Sequence, residues 1–249
     1  MLYVKNLTYK VRHKTLIHDI TMEVNDKELI GIIGPNGSGK STLLKNIYKM
    51  LTPESGEILL DGQSLLHMSN RQMAQKIAVV SQENNTSFDF DVSEVVQMGR
   101  YPRKKLMENV NEDDRKIVRQ SLKMVGMEDF YDRSFLSLSG GEKQRILIAR
   151  ALAQQTDMII LDEPTNHLDI GSQMKTLQLL KQSGKTVLTA LHDLTFAGKF
   201  CDRVYVLWQG TVYAQGRPAD VIKKELIKKL YDVEAELFER NGKIYIDYL

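Results

Sequence analysis

Short apolar runs recur along the chain: Leu29-Ile30-Gly31-Ile32-Ile33, Ile77-Ala78-Val79-Val80, Met158-Ile159-Ile160-Leu161 and Thr186-Val187-Leu188-Thr189-Ala190-Leu191. Each run is continuous rather than alternating, and Gly, polar or charged residues bound it, the pattern of a strand buried on both faces. Stretches with helical spacing at residues 40–50, 113–125, 141–153 and 171–181 separate several of these runs. Strands alternating with helices predict a parallel α/β sheet covered by helices. Residues 2–9, 20–24 and 57–60 also read as strands, but no comparable helices lie between them, which predicts an antiparallel sheet beside the core. Residues 91–153 read as mainly helical, and 204–208 as a further strand. Near the end, Asn241-Gly242 stands between alternating residues, a short-hairpin signal. No internal repeat or low-complexity linker interrupts the chain, so residues 1–249 are expected to form one domain with subdomains.

Composition narrows the class. The 249 residues are 42% hydrophobic and 27% charged, enough for a substantial core and unlike a disordered or collagenous chain. Thirty-four basic residues against thirty-two acidic ones, interspersed, make no basic stripe of the kind nucleic acid requires. The lone cysteine, Cys201, cannot form an internal disulfide, which points to a reducing compartment. No apolar run approaches the roughly 18 to 20 residues of a membrane span, and the first residues lack the apolar core of a signal peptide.

The chemistry begins directly after the run 29–33. Gly34-Pro35-Asn36-Gly37-Ser38-Gly39-Lys40-Ser41, followed by Thr42, matches G-x-x-x-x-G-K-[ST] between a strand and a helix. In that context glycines let backbone N–H groups turn inward around phosphate oxygens, and the following helix presents its positive end. Lys40 can reach the outer phosphates, and Ser41 can ligate Mg²⁺. A second run ends in two acids, Asp162 and Glu163; beside a P-loop, Asp162 can hold Mg²⁺ and Glu163 can polarise an attacking water.

Leu138-Ser139-Gly140-Gly141-Glu142, followed by Lys143-Gln144-Arg145 and a helix, resembles the signature of ABC-type ATPases. Further landmarks fall in the family's order: Tyr9 resembles the aromatic that stacks on adenine, Gln82 the Q-loop, Leu168-Asp169 the D-loop and His192 the switch histidine. The resemblance covers nearly everything from Leu2 to about Val221. It implies a RecA-like P-loop NTPase core (about 1–83 and 154–249), with an N-terminal antiparallel β subdomain and a helical signature subdomain (about 84–153). It further implies ATP and Mg²⁺ as ligands, Glu163, His192, Lys40 and Gln82 as catalytic groups, and Ser41, Gln82 and Asp162 around the Mg²⁺. Two copies are expected to sandwich two ATP molecules, each bound by one subunit's P-loop and by the other's Ser139, Gly140, Gly141, Glu142 and Asp169.

Asp91-Val-Ser-Glu-Val-Val-Gln-Met-Gly99-Arg100-Tyr101-Pro102 and Glu163-Pro-Thr-Asn-His-Leu-Asp-Ile170 resemble stretches of importers for ferric siderophores, haem and cobalamin. Zinc and manganese importers carry a similar Met-Gly-Arg-Tyr stretch. For Gly99 to Pro102 a plain helix stop is the alternative reading. Thr195, where relatives commonly have Asn, and the connection from Arg103 to Asn111 depart from the family. A peripheral ATPase on the cytoplasmic side of a membrane is implied, partnered by permease subunits and, through them, an extracytoplasmic substrate-binding protein, with no direct nucleic-acid partner. The alternatives are another ABC transporter or a non-transport ABC protein acting on nucleic acid or the ribosome; the absence of a second cassette or a heptad run argues against the last.

Overall fold

In the computed structural model, which describes residues 1–81, 89–105, 108–166, 168–240 and 243–249, the first apolar positions form a hairpin of Leu2–Val11 and Lys14–Val24, with Arg12 at a left-handed φ of 53° in the turn. Leu2, Val4 and Leu7 are buried from one strand, and Ile17, Ile20, Met22 and Val24 from the other. Neither set is strictly alternating. Asn6 and Asp19 take left-handed φ of 47° and 52° where the register shifts, and each bulge returns the next apolar side chain to the buried face. Asn and Asp tolerate that conformation best among non-glycine residues, and here Asn6 Nδ2 donates to Asp19 Oδ1 at 2.6 Å. The break in alternation hid residues 14–19 from the periodicity reading, which began that strand at 20. Ser55–Leu60 pairs on the other side of Leu2–Val11, completing the expected antiparallel sheet with the short Gln63–Ser64.

The chain divides into two units, Met1–Met68 with Gly184–Leu249, and Ser69–Ser183. In the first, Leu29–Ile33 lies between two parallel neighbours, Thr186–Ala190 and Arg203–Trp208, and Thr211–Gly216 adds an antiparallel edge. Every residue of Leu29–Ile33 and Thr186–Ala190 is buried, as their unbroken apolar runs require. Buried Tyr205 ties this sheet to the antiparallel one: its hydroxyl donates to the Glu23 carbonyl at 2.9 Å and accepts from the Glu23 amide at 3.0 Å. Helix Lys40–Ile47 is shorter than the predicted 40–50, because Lys49 turns left-handed and the amides of Met50 and Leu51 fold back onto the Lys45 carbonyl. Helix Lys224–Tyr231 and the hairpin Ala235–Arg240 with Lys243–Tyr248 follow. Arg240 pairs with Lys243, so the connection is the predicted Asn241-Gly242, which lies outside the described residues. Lys228 pairs with Asp232 and Glu234, and Lys229 lies over the rings of Trp208 and Tyr213.

In the second unit, Ile77–Val80 and Met158–Asp162 form a parallel pair. Helices Val92–Gln97, Glu112–Met124 and Gly140–Ala153 pack together through Val92, Val95, Val96, Val118, Leu122, Ile146 and Leu147. Their starts are explicit in the sequence: Asp91, Asn111 and Ser139 each sit three residues before an acid that completes a capping box. Among the described residues no helix is long and apolar enough to cross a membrane.

Candidate functional site

The phosphate loop leaves Leu29–Ile33 at Gly34, whose φ of 148° is open to glycine alone; a Cβ there would lie 2.1 Å from the Leu207 carbonyl oxygen of the neighbouring strand. Gly37 and Gly39 are also left-handed, and Gly39 caps helix Lys40–Ile47 with no side-chain hydrogen bond. The first turn of that helix holds no acid either. An N-terminus without a side-chain cap, wrapped by a glycine turn, is built for an external anion. Lys40 is 4% exposed. Its Nζ donates back to the carbonyls of Gly34 at 2.8 Å and Pro35 at 3.1 Å, so the ammonium is held over the loop.

The other landmarks of this unit lie around the same loop. Leu191, which ends the run 186–191, donates its amide to Ile32, so His192 emerges from the sheet next to the start of the P-loop, at the carboxyl edge where α/β sheets bind ligands. His192 is exposed, and Asp193 caps the next helix, accepting from the amides of Thr195 and Phe196 at 2.7 and 3.3 Å. Tyr9 pairs across the hairpin with Ile17, and Ile17 Cγ2 approaches to 2.7 Å of where a Gly39 Cβ would be. The half-buried Tyr9 therefore stands one strand away from the loop.

In the second unit Asp162 ends the strand Met158–Asp162 at 2% exposure. Glu163 follows with a left-handed φ of 55°, a costly conformation for this residue that turns the chain off the strand. Its Oε2 accepts from Asn166 Nδ2 at 2.5 Å. Gln173 donates to the carbonyls of Thr165 and Leu168 at 3.0 Å each and so braces the turn between Glu163 and Asp169. Neither Asn166 nor Gln173 was singled out from sequence as a site residue, since nothing in their type or spacing signals a brace. Asp169 caps helix Ile170–Gln182: its Oδ1 accepts from the Ser172 amide at 2.9 Å and its Oδ2 from the Ser172 hydroxyl at 2.7 Å. The Ser172 hydroxyl is the main reason its carboxyl is held below the usual range.

Ser139 caps helix Gly140–Ala153 reciprocally with Glu142. Its amide and hydroxyl donate to Glu142 Oε2 at 2.8 and 2.7 Å, which lowers the Glu142 pKa. The Gly99 to Pro102 stretch has a structural role beside its resemblance. Gly99 lets the backbone approach helix Gly140–Ala153, where a Cβ would meet the Arg150 carbonyl oxygen at 2.2 Å. Buried Arg100 donates to Asp114 at 3.0 Å and to the carbonyl of Ala153 at 2.5 Å, and Lys104 also pairs with Asp114. Burial would raise the Asp114 pKa, but Lys104, the Asn111 amide and Arg100 together lower it. Tyr101 is left 57% exposed. Gln82 and His167 lie outside the described residues.

A sequence model of the ABC transporter family matches residues 17–166. The petrobactin import ATP-binding protein FpuD of Bacillus anthracis is 35% identical over 95% of this chain and 88% of its own length. The ferric enterobactin transport ATP-binding protein FepC of Escherichia coli is 35% identical over 94% and 88%. Among solved structures, a dimeric bacterial ABC transporter cassette superposes with a TM-score of 0.76 at 31% identity, covering 88% of this chain and 99% of that one. The chain belongs to the ABC transporter family, as an ATP-binding and ATP-hydrolysing subunit.

Proposed function

We propose that this subunit hydrolyses ATP on the cytoplasmic face of a membrane permease to drive import of an iron chelate, with a ferric siderophore as the favoured cargo. The observation that carries the cargo is end-to-end similarity to relatives named for petrobactin import and ferric enterobactin transport.

The residues divide the work. Backbone N–H groups of the Gly34 to Gly39 loop, Pro35 aside because it carries none, with Ser41 and Thr42, cradle the phosphates, and Lys40 exchanges its carbonyl partners for phosphate oxygens. Tyr9 stacks on the adenine. Ser41 and Asp162 are hard oxygen donors of the kind Mg²⁺ takes, and a carboxylate as buried as Asp162 suits a cation; Gln82 is assigned to the same ion. When bound, Mg²⁺ neutralises charge on the phosphate oxygens. Glu163 orients the attacking water, with its carboxylate aimed by Asn166, and His192 donates to the transferring phosphoryl group. Ser139, Gly140, Gly141, Glu142 and Asp169 act on the nucleotide of a second copy in a homodimer. The phosphate then competes with Glu142 for the Ser139 hydroxyl. The permease docks at residues 91–101, where Tyr101 projects from a turn anchored by Arg100. An extracytoplasmic substrate-binding protein delivers the cargo on the other side.

The test is uptake of labelled ferric siderophores, haem, cobalamin, zinc and manganese in cells with and without the protein, with Lys40→Ala as control. Selective loss of ferric chelates, unrescued by Lys40→Ala, is the expected result. Loss of zinc or manganese uptake alone would reassign the cargo.

A further inference from the structure

Helix Ile170–Gln182 buries Thr176, Leu177 and Leu180. Beside them Lys175, Gln178, Leu179 and Gln182 recur at steps of three and four and so share one stripe. That stripe faces Arg145 and Ile148, one turn apart on helix Gly140–Ala153, across a hollow of about 580 Å³ whose third wall is the end of helix Glu112–Met124. The volume falls in the range of small-molecule sites, roughly 300–1,000 Å³. The two facing helices already touch at their first turns, where a Cβ on Gly141 would lie 2.9 Å from the Ser172 hydroxyl, and the hollow lies farther along the same pair.

Its charge is one-sided. Arg145 and Lys175 both line it, and no lining residue is acidic. Arg145 Nε is buried with no hydrogen-bond partner among the described residues, and so is the hydroxyl of Thr176, a lining residue 1% exposed. Buried donors are rarely left unanswered, because an unmade bond forfeits the hydration that was given up. The neighbouring acceptors are committed elsewhere. Glu142, one turn before Arg145, accepts from the amide and hydroxyl of Ser139. At the third wall the carbonyls of Lys123 and Leu122 accept from the amides of Gly126 and Met127.

We propose that this hollow binds a small organic anion, a carboxylate or phosphate ester on a short apolar body, with its head group on Arg145 and Lys175 and its body against Ile148 and Leu179. A guanidinium presents forked donors that match such a head group, and two half-buried or buried aliphatic side chains give the body a surface to cover. The site shares no residue with the nucleotide site and stands whether or not the cargo is an iron chelate.

The test uses 8-anilinonaphthalene-1-sulfonate, a fluorescent organic anion, titrated onto the full chain with saturating MgADP present so that the phosphate loop is occupied. One saturable site is expected. Arg145→Gln should weaken the probe at least about tenfold, the range of one charge-assisted hydrogen bond, and Lys175→Gln about 2- to 5-fold. Thermal midpoints are measured in parallel, and Gln178→Glu, an acid placed at an exposed position of the wall, should weaken the probe at least about threefold without disturbing the fold. Displacement by octanoate or by octyl phosphate supports the site and names the head group. No saturable binding, unchanged affinity in Gln178→Glu or in the Arg145→Gln, Lys175→Gln double variant, or displacement by neutral octanol as strong as by either anion would each overturn it.

Discussion

Helix Lys40–Ile47 and helix Gly140–Ala153 both begin at a glycine-rich turn, yet their N-termini are satisfied differently. The first has a left-handed glycine as its cap, no side-chain acceptor and no acid in its first turn; a lysine is folded back over the loop instead. The second is closed by its own chain, with Ser139 and Glu142 bonding each other reciprocally. Two starts that look alike as glycine strings are an open anion cradle in one unit and a self-capped helix in the other. The contrast extends to charge. The first unit brings amides, Lys40 and His192, the groups proposed to meet phosphate; the second brings carboxylates, three of them engaged by a neighbour, Asn166 for Glu163, Ser172 for Asp169 and Ser139 for Glu142. On the proposed reading, a carboxylate already aimed by a neighbour, as Glu163 is by Asn166, costs little reorganisation when it orients a water.

The comparison can be broken at its strongest point first. Glu163→Gln should keep nucleotide affinity while turnover falls roughly 10²- to 10⁴-fold and a nucleotide-bound dimer accumulates; near-normal turnover would remove Glu163 from the chemistry. Asp114→Ala, which takes the shared carboxylate from Arg100 and leaves Lys104 only Glu108, should lower the denaturant midpoint of unfolding. Lys40→Ala should weaken ATP binding by about two orders of magnitude in calorimetry, since the ammonium that meets the phosphate charge is gone. Ser139→Ala should cost only about 1 kcal/mol, the value of one cap, and should leave ATP affinity of the single subunit unchanged.

The same cap supplies a pH test with a definite sign. Glu142 has a lowered pKa in the folded chain, chiefly through the Ser139 hydroxyl, so its stabilisation is present above the ordinary carboxylate value and is lost as pH falls through the folded one. The stability gap between the native chain and Ser139→Ala should therefore be full at pH 7 and narrow below about pH 4. A gap that widens in acid would contradict the reciprocal cap.

Much of this was legible from residue order. The P-loop, the acid pair after Met158–Leu161, the helices read from 113 and 141, and the buried strands are contiguous or periodic, and the physics that makes them acts within a turn or along one strand. Where a bulge interrupted the period, as at Asp19, the strand was read too short, because period-two counting has no means of seeing an inserted residue. The Gly99 to Pro102 stretch was read as a helix stop or a family mark; its work as an anchor depends on Asp114 and Ala153, 14 and 53 residues further along from Arg100.

By itself, then, the sequence determined most of the elements, the glycine-rich loop between strand and helix, and the family, since each depends on neighbours within a few positions. Only the tertiary structure decided which polar groups are already engaged: Glu142 on Ser139 could be guessed from spacing, but Gln173 on the turn before Asp169 and Arg100 on Asp114 could not. Hydrogen bonds and ion pairs act only over a few ångströms, and the folded chain alone brings residues 100 and 153 within that reach.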